Sequence, residues 1–382
     1  MPDTLVTVLG HPYANIGRGY DARLTFKAIK RAGIKTGLYD IYKYQKPNEE
    51  QKKDLVKFIT NRLDTPIQVF TLNGDEVKPC FDFLGNSLSK NTYKVVYPQW
   101  ELEKYPKEWA ESLEMFDEIW APSIFVQKAI QNSVKKEVHY LPLAIGEKLL
   151  PYAYSRRYFG LPESDFLFLL AFDFTSYLSR KNPWDVIEAF KQFIKGKEFS
   201  NAKLVLKLNN STAKPELAEK LSREIKDIKD YVIIIDKIMS DIETKSLIRN
   251  CDCYLSLHRS EGWGRSQAEA MLMKIPVIAT DYSGNTEFMF ADNSFPIKYE
   301  LIPVKEGEYP FAENQVWAQP DIDHAVSLMD TVYFGKYDHK LLDNGFKTII
   351  EKYSIRATAF KFLERILAIQ EKIKYNKSQK VQ

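Results

Sequence analysis

The side chains best suited to chemistry cluster in the stretch His258-Arg-Ser-Glu-Gly-Trp-Gly-Arg-Ser-Gln-Ala-Glu269, where Glu261 and Glu269 are separated by seven residues. The stretch reads as a strand end, a glycine-bearing turn and a helix. Gly262 and Gly264, on either side of Trp263, permit close backbone approach, and the amides that open the helix face outward with the positive end of its dipole. An anion or a polyhydroxylated ring suits that arrangement. The two carboxylates, one before the turn and one about two helical turns later, can grip separate parts of one elongated ligand. A second segment, Ser179-Arg180-Lys181-Asn182-Pro183-Trp184, also opens a helix. Asn182 is read as its cap and Pro183 as its first-turn residue, which leaves Arg180 and Lys181 where a diphosphate would be held. Lys207, followed by Asn209 and Asn210 at a strand end, is a weaker addition of the same kind. Near the start, Gly10-His-Pro-Tyr-Ala-Asn-Ile-Gly-Arg-Gly19 joins a strand to a helix as a cradling loop would. It lacks the dinucleotide fingerprint, because Ala22 stands where the last glycine belongs. His11 in this loop reads either as a ligand-contacting group or as a satisfied structural histidine.

Elements that position these groups recur in two series. Short β-branched runs alternate with amphipathic stretches, the pattern of βαβ units with parallel sheets. The first series has strands near Leu5–Leu9, Leu38, Ile67–Phe70, Val95–Tyr97, Glu118–Ala121 and Val138–Leu143. The second has them at Phe166–Phe172, Leu204–Leu208, Val232–Ile235, Cys253–Leu257 and Val277–Ala279. Gly146–Glu163 has no clear periodicity and is read as the linker. The expected organisation is an N-terminal Rossmann-like domain over 1–150, a C-terminal Rossmann-like domain over 165–350, and a helix with a polar tail over 351–382. Ligand sites in such domains lie outside the carboxyl ends of the strands, and two of them joined by a hinge place the ligand in a cleft.

The chain of 382 residues is long enough for two cores, and its 45% apolar and 27% charged residues are those of an ordinary globular protein. With 54 Lys and Arg against 51 Asp and Glu, the net charge of +3 argues against a dedicated nucleic-acid binder. Cys80, Cys251 and Cys253 form neither a disulfide framework nor a metal knuckle, and a reduced, cytoplasmic compartment is expected. The start carries no basic, apolar leader, and no apolar run approaches eighteen residues.

On these motifs the sequence resembles the retaining GT-B glycosyltransferases, family four type (glycosyl transferases group 1), which use nucleotide sugars. Glu261 and Glu269 match that family's Glu, seven residues, Glu motif in both spacing and glycine-aromatic-glycine context. The resemblance implies GT-B architecture: two Rossmann-like domains facing across a cleft, with a terminal helix returning to the N-terminal domain. It implies that Glu261 contacts the donor sugar near its reacting face and Glu269 the ribose. Arg180 and Lys181 are matched to the family's donor-phosphate pair. This chain departs from the pattern by lacking a further arginine after the preceding strand, where Thr175 or Ser176 offers a hydroxyl instead. Gly17 and Arg18 fall in the family's glycine-rich loop, as donor or acceptor contacts. Glu287 ends a loop, Ser283-Gly-Asn-Thr-Glu, whose amides would lie near the phosphates, although a simple turn explains Gly284 and Asn285 equally well. Glu101, in Tyr97-Pro-Gln-Trp-Glu101, stands where an acceptor-side carboxylate is expected. Trp317-Ala-Gln-Pro-Asp-Ile-Asp323 reads as the start of a late family helix.

The implied activity is transfer of a sugar, from a UDP- or GDP-linked donor, to a glycan, lipid-linked or protein acceptor with retention of configuration. Neither a metal nor another cofactor is expected, since no convincing Asp-x-Asp motif is present and basic residues take the place of a divalent ion. A nucleotide-sugar epimerase or a phosphorylase on the same fold, or a noncatalytic nucleotide-sugar-binding module, are the alternatives. Ile355, Phe362, Leu363, Ile366, Leu367 and Ile373 form an apolar stripe expected to dock on the N-terminal domain. The lysines beyond it, Lys372, Lys374, Lys377 and Lys380, equally suit peripheral contact with the inner membrane face.

Overall fold

The computed structural model describes residues 5–14, 16–41, 49–146, 153–196 and 201–379. The chain divides into two compact units, one formed by 1–147 together with 351–382 and the other by 148–350. Part of the expected linker, residues 147–152, lies outside the described residues, as do Asn15 in the first loop, the first four residues and Lys380. Residues 156–159 within the expected linker form a short 3-10 turn.

In chain order the first series runs β1 (Val6–Gly10), α1 (Gly17–Arg31), β2 (Thr36–Asp40), α2 (Glu49–Leu55), β3 (Ile67–Phe70), α3 (Gly74–Leu84), β4 (Tyr93–Val96), α4 (Lys107–Leu113), β5 (Glu118–Ala121), α5 (Ile124–Gln131) and β6 (Val138–Tyr140). The second begins with β7 (Phe166–Asp173), α6 (Leu178–Lys181), α7 (Pro183–Ile194), β8 (Ala202–Asn209), α8 (Pro215–Glu224), β9 (Val232–Asp236) and α9 (Asp241–Asn250). It continues with β10 (Cys253–Ser256), α10 (Arg265–Leu272), β11 (Val277–Thr280), β12 (Phe295–Ile297), β13 (Tyr299–Pro303), β14 (Val316–Pro320), α11 (Ile322–Tyr333) and α12 (Lys340–Tyr353). The last helix, α13 (Ile355–Gln379), belongs to the first unit and packs on α1.

Each unit is built on a six-stranded parallel sheet, ordered β2-β1-β3-β4-β5-β6 in the first and β12-β11-β10-β7-β8-β9 in the second. Helices on both faces explain why the central strands are apolar without alternation. In β7, Phe168, Leu170 and Phe172 face one helical layer with Val186, Ile187, Phe190 and Phe193 of α7, while Leu167 and Leu169 are buried as well. Pro183 opens α7 at the position where its missing N–H costs nothing.

The strand orders decide where ligands go. The order reverses between β1 and β3 in the first unit and between β7 and β10 in the second, and a crevice forms at such a switch point. The loops and helix starts after β1 and β3 carry His11, Arg18 and Glu76, and those after β7 and β10 carry Arg180, Lys181 and Glu261.

Three local expectations are corrected. Trp317–Pro320 is a strand, β14, paired antiparallel with β13, and the helix begins only at Ile322 with Asp321 accepting from the His324 amide as its cap. Asn182 occupies the cap position of α7 but does not cap with its side chain: it sits in the left-handed region at φ 50, and its amide donates to the Leu257 carbonyl at 2.9 Å instead. On α13 the buried face is Thr358, Ala359, Phe362, Ile366 and Ile369, whereas Leu367 is 51% exposed, because a straight 3.6-residue period carries the stripe to Ile369.

Candidate functional site

In the second unit Arg180 and Lys181 converge on Glu261. One Arg180 Nη donates to Glu261 Oε2 at 3.0 Å and to the Ser260 carbonyl at 3.0 Å, and the other donates to Ser176 Oγ at 3.2 Å. Lys181 Nζ donates to the second oxygen, Glu261 Oε1. The carboxylate side chain is 10% exposed, Arg180 7% and Lys181 24%, so the lysine is the more open of the two cations. Burial pushes the Glu261 carboxyl up, but the charges of Lys181 and Arg180 more than offset it and hold the group at about 2. It is an anion at every physiological pH.

The chain reaches this geometry through its turns. Gly264, at φ +95, starts α10 in a conformation an L side chain rarely adopts. Gly284 packs so closely that an added Cβ would lie 2.1 Å from the Gly262 carbonyl oxygen. The Gly284 amide donates to the Glu261 carbonyl at 2.9 Å, and the Glu261 amide donates to Ser283 Oγ at 2.7 Å. The 283–287 turn therefore fixes the backbone of Glu261. Trp263 is buried with its ring 4.9 Å from that of Phe288, a packing role.

Beneath the turn lies a buried group that the motif reading passed over. Asn285 donates to the Thr280 carbonyl at 2.9 Å, so its Oδ1 accepts from His258 Nε2 at 3.0 Å, and His258 Nδ1 accepts from Ser256 Oγ at 3.1 Å. Burial pushes the His258 imidazole below its ordinary range, keeping it neutral.

Glu269 is buried on α10 and apart from the Glu261 cluster. Burial raises its carboxyl, Lys245 of α9 pulls it back, and Asp241 pushes it up again. Lys245, bonded to Asp241 at 2.9 Å, is the cation that the sequence reading missed, since nothing in the spacing of α9 points toward α10. Lys207 also lies apart, donating to the Leu208 carbonyl at 2.8 Å and Asn209 Oδ1 at 2.6 Å. Burial lowers its ammonium to about 8 despite Asp236 and Asp173 nearby. Of the two hydroxyls weighed for the missing arginine, Thr175 donates to its neighbour Asp173 at 2.6 Å, whereas Ser176 accepts from Arg180. Glu287 is half-buried at the end of its turn.

In the first unit the structure brings His11 and Arg18 together on Glu76. His11 Nε2 donates to Glu76 Oε1 at 3.0 Å, Arg18 pairs with the same oxygen, and the Asn73 amide donates to Oε2 at 3.0 Å. Burial raises the Glu76 carboxyl, and His11 and Arg18 lower it by more. Glu76 was absent from the sequence reading, although Asn73-x-x-Glu76 at a helix start is a capping-box signature. Gly17 is the exposed first residue of α1. Glu101 is half-buried after β4; its neighbour Trp100 is buried against Tyr105 and Trp109 at 5.6 and 5.3 Å, so that aromatic cluster is core.

Residues 170–294 match the family described as glycosyl transferases group 1. The matched segment contains every second-unit candidate: Arg180, Lys181, Lys207, Glu261, Gly262, Trp263, Gly264, Glu269 and Glu287. No curated protein matches the sequence. Among solved structures, the sucrose-phosphate synthase of Thermosynechococcus elongatus is similar at 13% identity and a TM-score of 0.69, covering 96% of this chain and 99% of that one. The Anabaena protein HepE, solved in complex with UDP-glucose, is similar at 12% identity and a TM-score of 0.68, with 95% and 99% covered. The lipopolysaccharide outer core galactosyltransferase WaaB gives 14% identity and a TM-score of 0.62, with 95% and 99% covered. The fold is GT-B: two Rossmann-like units, with the C-terminal helix in the first.

Proposed function

We propose that the chain is a retaining hexosyltransferase that moves a sugar from a nucleotide diphosphate to an acceptor without a metal ion. The observation that carries the reading is the convergence of Arg180 and Lys181 on Glu261 at the switch point of the second sheet, inside the segment that matches the group 1 family. As the glycosidic bond breaks, negative charge grows on the leaving diphosphate and positive charge on the sugar carbon. Two cations and an obligate carboxylate side by side are matched to that separation. Lys181 takes the leaving diphosphate, Glu261 faces the developing oxocarbenium charge, and the acceptor hydroxyl attacks from the face the diphosphate leaves, passing its proton to the departing diphosphate oxygen. Glu269 holds the ribose. Among the neighbours, HepE was solved with UDP-glucose, which favours a UDP-linked donor. A glycan or lipid-linked acceptor is proposed on the side of His11, Arg18 and Glu101, with a cytoplasmic location in keeping with three buried, unpaired cysteines. No helix among the described residues is long and apolar enough to cross a membrane.

A panel of nucleotide sugars tests the activity: free nucleotide released only when an acceptor is present supports transfer, whereas an isomerised donor or binding without turnover would overturn it. Turnover is expected to persist in excess EDTA, because Lys181 and Arg180 supply the charge a divalent ion would. Loss of activity restored by Mn²⁺ or Mg²⁺ would refute the metal-free mechanism.

Glu269→Ala is expected to weaken donor binding by on the order of 1.5 to 3 kcal/mol, the range for a hydrogen bond to a charged group. Calorimetric titration with UDP and with the full donor checks it, and unchanged affinity in a folded variant removes Glu269 from the ribose.

A further inference from the structure

The short helix α6 carries both cations, yet four residues make a helix too short to hold its own orientation. Its two ends are held by an element the group 1 match does not include, the β13–β14 hairpin, which follows the matched segment. At the leading end, the Tyr309 ring from the hairpin loop lies 4.7 Å from that of Tyr177, whose carbonyl accepts the Arg180 amide at 3.1 Å. At the trailing end, Asn182 adopts its left-handed turn and donates to Asp185 Oδ2 at 2.6 Å. Gln319 of β14 donates to that same oxygen at 2.7 Å.

Arg259 closes the circuit. Its guanidinium donates to Gln319 Oε1 at 2.9 Å, lies 5.4 Å from the Trp317 ring and pairs with Glu308 at 3.7 Å. Its backbone N–H donates to the Arg180 carbonyl at 2.8 Å, and its carbonyl accepts from the Ala318 amide at 3.0 Å. Residue 259 is thus stitched between α6 and β14, two positions before Glu261. Asn182 tolerates the left-handed region better than most residues, and its side-chain amide, donating to Asp185 and to the Leu257 carbonyl, holds it there.

We propose that the β13–β14 hairpin is a brace that sets the register of α6 against Glu261, with Gln319 and Asp185 as positioning residues for Lys181. This rests on the transferase reading for its effect on turnover but not for its effect on geometry. The ring Tyr309–Tyr177 fixes one end of α6, the chain Arg259–Gln319–Asp185–Asn182 fixes the other, and Lys181 is the last helical residue before the clamped turn. Hydrogen bonds of this kind act on the reaction only by placing the cation, so their loss lowers turnover while leaving donor affinity nearly intact.

Two measurements on Gln319→Leu, one of activity and one of side-chain accessibility, test this. The kcat falls about 10-fold or more, as expected for a displacement of the order of an ångström, with donor KM little changed. Acetylation of Lys181 in the folded protein by acetic anhydride, read by mass spectrometry of its proteolytic peptides, accelerates relative to a remote lysine such as Lys361. In a Lys181→Ala background, Gln319→Leu produces no further loss of kcat, since both act through one group. Asp185→Asn, which keeps an acceptor oxygen, retains most of the turnover that Asp185→Leu loses. Should Gln319→Leu not yield folded protein, Tyr309→Leu, which frees the opposite end of α6, is read in the same two assays. A folded variant with unchanged kcat and unchanged Lys181 labelling overturns the brace. Accelerated labelling in a protein whose wild type transfers no sugar supports the brace and sinks the transferase reading instead.

Discussion

Lys181→Ala is expected to lower kcat about 10²- to 10³-fold, the loss seen when one preorganised donor to developing charge is removed. Arg180 and Lys181 both bind Glu261, but they are not equivalent. Arg180 is spent on Ser260, Ser176 and Glu261 and is nearly buried, whereas Lys181 pairs with the second carboxylate oxygen and is the more exposed. When a diphosphate arrives, Lys181 can swing to it while Arg180 continues to neutralise Glu261. The charge on the leaving group grows toward the transition state, so the loss falls on kcat more than on donor KM. Steady-state kinetics with a soluble acceptor check this, and a defect confined to acceptor KM would count against it. A second readout follows from the carboxyl held at about 2 by the two cations. Its depressed value means that its contribution to stability is fully present above its ordinary 4.5 and is lost as pH falls toward 2. Without Lys181 the opposing effect of burial weighs more, and the acid limb of the stability profile moves to higher pH.

The parts of this site that sequence discloses are those fixed by near neighbours in the chain. Glu261, Gly262, Gly264 and Glu269 declare themselves because a turn and a helix start set their spacing, and Arg180 and Lys181 because Pro183 marks the helix that follows them. Strands such as β7 and β8 are legible for a related reason: burial on both faces leaves a continuous apolar run that little else produces. The polar pairs that hold these pieces together leave no such trace. His11 meets Glu76 across 65 positions, and Gln319 meets Asp185 across 134. Any exposed-looking glutamate or glutamine is an equal candidate before the fold exists. The hairpin was hidden for another reason. In β13, Tyr299, Glu300 and Leu301 are all exposed, so the strand shows no alternation, and Trp317-Ala-Gln-Pro-Asp-Ile-Asp reads as helix start although its first half is β14.

The terminal helix is a test of the first unit's stability. Glu118 at the start of β5 is almost wholly buried and accepts two hydrogen bonds from Arg365 of α13, at 2.5 and 2.6 Å. Trp120 Nε1 and the Tyr93 hydroxyl complete its shell at 2.7 and 3.1 Å. Burial pushes this carboxyl up, and Arg365 together with Trp120 brings it below its ordinary value. Arg365→Met keeps the apolar stem and removes the charge, leaving a buried anion whose nearest basic side chains are Lys372 at 3.5 Å and His139 at 3.8 Å. Breaking one side of such a pair costs on the order of 3 kcal/mol, which lowers the melting transition by several degrees. The pH dependence separates this from a loss of packing. In the wild type the depressed Glu118 contributes stability that is present above its ordinary 4.5 and is lost as pH falls through the folded value. In the variant burial dominates, the carboxyl is raised, and protonation relieves it. The gap between the two melting temperatures is therefore expected to be widest near neutral pH and to narrow as pH falls below 5. Calorimetry across that range decides: a gap that does not change with pH would mean that α13 is held by Phe362, Ile366 and Ile369 alone, and no gap would mean that the helix does not stabilise the unit through Glu118.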